Sequence, residues 1–289
     1  MNNLKPFIKW AGGKTQLLDE LTSRIPTDKN EYVELFVGGG ALFLNQLNNS
    51  QFVKYTINDF NQYLSELYNI LCGDEEMFNR FIVILSLLDG TYKSKDTEGK
   101  QKAFFHELRD EFNTVNLTPR ARAAEFVILN KACFNGLYRE NKKGLFNTPY
   151  GGFKKSLSIN YDGMKDFNHL CGTKNIIIEN LDYKECLKHI TKDSFVYLDP
   201  PYRPLDETSK FTNYTAGGFG EKEQIELKEF CDEINKIGAK FLLSNSDRQD
   251  GFFDELYKDY TIERVYAKRS INSKGDKRGK ISELLIRNY

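Results

Sequence analysis

"EYVELFVGGGALF" (31–43) runs from β-branched and aromatic residues through three consecutive glycines into residues that favour a helix. In an open α/β sheet, ligands sit beyond the carboxyl ends of the strands, where glycine lets the backbone approach them closely. A tight strand-to-helix turn with a helix cap fits the same letters. Two common nucleotide loops are disfavoured by spacing. A GxGxxG fingerprint would need glycine at Phe43, and a phosphate-binding GxxxxGK[ST] ending on "AGGKT" would need it at Ile8. Asp59 follows the glycines at about the distance where a ribose diol is commonly held.

Outward from that stretch, further β-rich runs occur at 54–59, 175–180, 194–199, 239–245 and 260–267. Helical periods separate several of them, such as Leu227, Phe230, Cys231 and Ile234. Strands alternating with helices predict an α/β fold whose mostly parallel sheet is covered on both faces. The closing "ISELLIRNY" (281–289) reads as one more strand of unassigned direction. Residues 61–173 differ, with amphipathic helices around 75–88, 99–115 and 119–133 and a polar Gly- and Asn-rich segment from 135 to 163. The expected division is a catalytic part of 1–60 and 174–289, interrupted by a largely helical insertion at 61–173.

With 289 residues and 40% hydrophobic content, the chain can bury one large core or two smaller ones. Its 41 basic and 41 acidic side chains cancel, so any polyanion surface must be local. Residues 131–155 are such a patch, with six basic groups against Glu140; residues 264–280 are another, with seven against Asp276. The cysteines at 72, 133, 171, 186 and 231 form no CxxC pair, and the three histidines show no metal spacing. These features predict reduced thiols, no metal, and a soluble cytoplasmic protein. "FIVILSLL" (81–88) is too short to span a bilayer.

"LDPPY" (198–202) ends a strand on an acid and a rigid diproline. Each proline fixes its own φ and restricts its predecessor, so nearby carbonyls are preset. Asp199 and the Pro200 carbonyl can accept both hydrogens of an amino group, while Tyr202 offers a flat face to a planar ring. Paired acceptors of this kind can expose the lone pair of a conjugated aromatic amine to an electrophile, acting mainly in the transition state. A proline-terminated strand with a capping Asp is the alternative.

"KWAGGK" (9–14), "FVGGGALF" (36–43), "NGLYRENKKGLFNTPYGGF" (135–153) and "LDPPY" together resemble the Dam-type DNA adenine methyltransferases, over nearly the whole chain. The resemblance implies a Rossmann-like core binding S-adenosylmethionine, with methyl transfer to the adenine amino group of a flipped base in double-stranded DNA, usually in GATC. A restriction endonuclease for the same site is a possible companion. The resemblance puts Trp10, Lys14, Phe36, Gly38, Gly40, Asp59, Asp182 and Asp199 at the cofactor, with Lys14 near its methionine carboxylate and Asp182 at its adenine. It puts Asp199, Pro200 and Tyr202 at the target amine. Arg139, Asn141 and Lys143 have side chains suited to base edges and phosphates, and "ETSKFTNYTAGGFG" (207–220) reads as a lid over the base. Trp10 as core, Lys14 as a helix-start charge and Asp182 as a helix cap are the simpler readings. An RNA or protein-glutamine methyltransferase, or a DNA-binding protein without activity, are the alternatives in function.

Overall fold

The computed structural model describes residues 4–49, 52–203, 219–268 and 280–289. Among these, the strands are β1 (Glu31–Glu34), β2 (Lys54–Asn58), β3 (Asn175–Glu179), β4 (Ser194–Leu198), β5 (Lys240–Ser246), β6 (Thr261–Lys268) and β7 (Lys280–Arg287). The helices are α1 (Leu18–Thr22), α2 (Ala41–Asn49), α3 (Gln62–Leu71), α4 (Glu75–Ser94), α5 (Glu98–Thr114), α6 (Pro119–Ala132), α7 (Tyr161–Cys171), α8 (Glu221–Ile237) and α9 (Phe252–Leu256). The chain divides into two compact units. One comprises 4–13, 38–40 and 61–180 of the described residues, the other 14–37, 41–60 and 181–289.

The second unit carries six of the seven strands, in the order β2-β1-β4-β5-β7-β6. The pairs β1–β2, β1–β4 and β4–β5 are parallel; β7 enters antiparallel to β5 and to β6, which settles the direction of the C-terminal strand. Both faces of the central strands are buried, as a sheet with crossover helices requires. On one face Val33, Val196, Leu198, Phe241 and Leu243 pack against Leu227, Phe230, Cys231 and Ile234 of α8, the residues singled out by their helical period. On the other, Tyr32 meets Phe52, Tyr55 and Phe195 at ring centroids of 5.4–6.0 Å. α8 ends at Gly238, whose φ of 85° suits the left-handed cap that glycine adopts without strain.

The first unit is mainly helical. Asp74, Thr97, Thr118 and Asn160 each cap a helix by accepting a backbone N–H through the side chain, and Pro119 occupies the first turn of α6. α4 runs six residues past its expected end. α3 and α7 fall within 61–173, where the sequence reading assigns them no boundaries. The expectation of reduced thiols is corrected at one pair: Cys72, after α3, and Cys171, ending α7, form a disulfide. Their 99-residue separation hid the pairing, which depends on the two helix ends meeting. Asn168 holds that junction by donating to the carbonyls of Leu71 and Gly73 at 2.8 and 2.9 Å. Cys133, Cys186 and Cys231 are buried.

Candidate active site and nucleic-acid interface

Within the second unit, β4 delivers Asp199 at the end of a fully buried strand. Lys14 lies 2.7 Å from Asp199 Oδ1, donates to the Tyr202 hydroxyl at 2.9 Å, and sits 3.8 Å from Glu283 Oε2 on β7. Ser244 of β5 also donates to Asp199 Oδ1, at 3.0 Å, and is itself 2.9 Å from the Tyr197 hydroxyl. Asp199 Oδ1 is therefore locked. Among the described residues, neither Asp199 Oδ2 nor the Pro200 carbonyl takes part in a hydrogen bond, whereas the Pro201 carbonyl accepts from Gln224 at 3.2 Å. Gln224 is held in turn by Asn245 at 3.0 Å. Next along the chain, the buried Arg203 guanidinium pairs with Glu221 and Asp250 and lies 4.4 Å from the centre of the Phe252 ring. The diproline corner is thus braced on both sides.

The electrostatics follow from burial. Desolvation disfavours the charge on Lys14, but Asp199, Tyr202 and Glu283 outweigh it and raise the Lys14 pKa. Burial also pushes the carboxyls of Asp199 and Glu283 above their ordinary range, because one lysine compensates two buried acids incompletely. Glu34, fully enclosed on β1, is driven up to about 8 by burial even though the Tyr32 hydroxyl donates to it.

The other candidates in this unit are less concentrated. Phe36 packs at 5.4 Å from the Tyr183 ring and 6.1 Å from Phe219. Asp59 is half-buried directly after β2. Asp182 accepts from the Lys184 backbone N–H at 3.0 Å and caps the short helical turn Tyr183–His189, the simpler role anticipated for it. Lys14 opens a 3-10 turn, also as anticipated, but its ammonium is committed to the DPPY corner.

In the first unit, Gly38 and Gly40 have φ of +49° and +70°, a region costly for other residues. A Cβ on Gly38 would come within 2.7 Å of Trp10 Cδ1, so this turn requires glycine sterically as well. Trp10 is half-buried and stacks on Tyr138 at 5.5 Å, with Phe126 edge-on at 6.5 Å. Asn130 fixes the neighbouring backbone by bonding both the N–H and the carbonyl of Lys9. Tyr138 begins a hairpin along which Arg139 and Asn141 are exposed, with Glu140 bridged to Phe146. Arg139 donates to Asn147 Oδ1 at 2.9 Å, and Asn141 Oδ1 accepts from the backbone of Lys143 and Leu145, closing the tip. Glu140 accepts from the Tyr138 hydroxyl, which turns its charge towards the hairpin's base.

The basic patches are reduced by the structure. Arg139, Lys142, Lys143 and Lys155 are exposed, while Lys131 and Lys154 are partly buried, with pKa values lowered by that burial. Arg264 is engaged by Asp247 and Asp254 at 3.1 and 2.8 Å. Residues 269–279 of the second patch, and nearly all of the expected lid at 207–220, fall outside the described residues. No described helix is long and apolar enough to cross a membrane. Glu283, Ser244 and Tyr138 were not singled out from the sequence; a lone acid inside the apolar run "ISELLI" was a usable signal for the first.

Residues 10–271 match the D12 class of N6 adenine-specific DNA methyltransferases. The chain belongs to that family. It is 43% identical to the type II methyltransferase M.MjaIII of Methanocaldococcus jannaschii, with 99% of each chain covered. It is 34% identical to the type II methyltransferase M1.LlaDCHI of Lactococcus lactis subsp. cremoris, over 99% of this chain and 96% of that one. It is 33% identical to the DNA adenine methylase of Haemophilus influenzae, over 97% and 92%. Membership in this class sets the RNA and protein-glutamine readings aside and makes the mixed α/β sheet that of an adenine methyltransferase.

Proposed function

We propose that this DNA adenine methyltransferase takes its methyl group from S-adenosylmethionine and acts on the adenine of GATC in duplex DNA. The observation carrying the chemistry is the pair of acceptors that no described residue occupies, Asp199 Oδ2 and the Pro200 carbonyl, beside a locked Oδ1. Both hydrogens of an adenine amino group can be received there, and the Tyr202 ring supplies a stacking face. Bound S-adenosylmethionine would supply an electrophilic methyl group on a positively charged sulfur.

The chain's own groups fit such a donor. The glycine turn at 38–40 and the half-buried Trp10 offer close backbone approach and an aromatic wall in the first unit. Phe36, Asp59 and Asp182 are the candidates in the second. Lys14 orients Asp199 and Tyr202, so its contribution is to the amine site, with any contact to the methionine carboxylate secondary. With the donor bound, the lone pair of the adenine nitrogen held at Asp199 and the Pro200 carbonyl would form the new N–C bond while the S–C electron pair stays on sulfur, and the nitrogen would then shed a proton. Alignment of amine and methyl contributes up to roughly 7–11 kcal/mol.

The helical unit is assigned to DNA recognition, through Arg139, Asn141 and Lys143 on the hairpin. Extracting the base costs a few kcal/mol, and stacking on Tyr202, on the order of 1–3 kcal/mol, offsets part of it. The test is incubation with labelled S-adenosylmethionine and duplexes differing only at one GATC. Label in adenine of the GATC duplex alone is expected; equal label in both duplexes, or none, contradicts the reading.

A further inference from the structure

Asp199 is ion-paired to Lys14 at 2.7 Å before any substrate arrives, and a neutralised carboxylate is a poor partner for a nitrogen acquiring positive charge. The corner contains a second acid. Glu283 Oε2 is buried, lies 3.8 Å from Lys14 Nζ, and accepts no hydrogen bond from the described residues. Its neighbours in strand register, Ser246 and Val265, carry no charge, and among the described residues Lys14, Asp199 and Tyr202 are the charged or titratable groups acting on it. With Glu34 neutral by burial at pH 7, one lysine faces two acids among the described residues.

We infer that Glu283 sets the charge of the methyl-transfer corner: it keeps the site net negative after Lys14 has neutralised Asp199, so that the corner favours a cation at the reacting centre. The positive charge starts on the donor sulfur and moves to the adenine nitrogen held at Asp199, so a negative charge at this corner stabilises the bound cationic donor and stabilises the transition state more strongly. Glu283 acts through Lys14 and Tyr202 as a positioning residue. This rests on the proposed use of S-adenosylmethionine at the DPPY corner.

Glu283→Gln removes the charge and keeps the shape; Glu283→Asp keeps the charge. Two quantities are measured on each full-length protein. One is the single-turnover methylation rate at saturating donor and duplex. The other, without DNA, is the calorimetric affinity for a donor analogue with a primary amine in place of the methylsulfonium, relative to S-adenosylhomocysteine, which is neutral there. The Gln variant should be slower by about tenfold or more and lose a similar factor of preference for the cationic ligand. The Asp variant should recover most of both. An unchanged rate, or a slower rate with unchanged preference, overturns the inference. A wild-type protein unable to use S-adenosylmethionine would instead overturn the donor assignment.

Discussion

Lys14, the first residue after the "KWAGG" stretch, forms a buried ion pair with Asp199 across 185 positions of sequence, at 2.7 Å and with 4% and 16% of their side chains exposed. This pair organises the corner, since the same ammonium also reaches Tyr202 and Glu283.

Removing the cation should therefore cost more than a contact. Lys14→Ala leaves two buried acids without their shared partner, a change typically worth about 3–5 kcal/mol unless the acids take up protons. Lys14 lowers the pKa of both acids, so its loss raises them and the ionised form of Asp199 then requires a higher pH. The acidic limb of the rate profile should move to higher pH. A profile superimposable on the wild type, with an unchanged melting temperature, contradicts the role given to Lys14.

Gly38→Ala should strain a backbone at φ +49° and drive a methyl group into Trp10. The expected loss is about 1 kcal/mol or more. Trp10 is the sole tryptophan, so its fluorescence reports the displacement directly. Trp10→Ala should weaken donor binding, and calorimetry finding equal affinity would remove Trp10 from the cofactor site.

Glu34 carries a pH signature. Its folded-state pKa of about 8 lies above the roughly 4.3 of an unfolded glutamate, so the folded form holds a proton that the unfolded chain has lost. Its contribution to stability is full below about 4.3 and is lost as pH rises through 8, with a slope of up to about 1.4 kcal/mol per pH unit. Glu34→Gln should flatten that part of the stability curve. Urea melts at pH 5 to 9 showing the same slope in both proteins would contradict this.

Arg139→Ala should weaken discrimination at one base pair by about 1–3 kcal/mol and reduce the salt dependence of binding. The structure adds a control. Arg139 also braces Asn147, so Asn147→Ala tests the hairpin without removing the guanidinium. Unchanged DNA affinity in Arg139→Ala would take that side chain out of the interface.

Much of the second unit was legible because its signals are local. Apolar runs of strand length, the Leu227–Ile234 helical period and the glycine turn each report on neighbours a few positions away. The direction of β7 was not legible, because pairing with β5 and β6 depends on the sheet around it. The Cys72–Cys171 link and the Lys14–Asp199 pair were hidden for the same reason, since each joins distant segments. The chemistry of "DPPY" could be proposed from residue types alone. Ser244 and Lys14, which lock Asp199 Oδ1 while no described residue bonds Oδ2, lie far from it in sequence and leave no local signal. Charge counts were the least faithful signal, because Lys131 and Lys154 are partly buried and Arg264 is paired with Asp247 and Asp254.

The central claim is that Asp199 and the Pro200 carbonyl hold the adenine amine for transfer. Its most direct test is single-turnover methylation by Asp199→Ala, with duplex affinity measured on the same preparation. Loss of transfer with DNA binding largely retained is the expected result; near-normal turnover would contradict it.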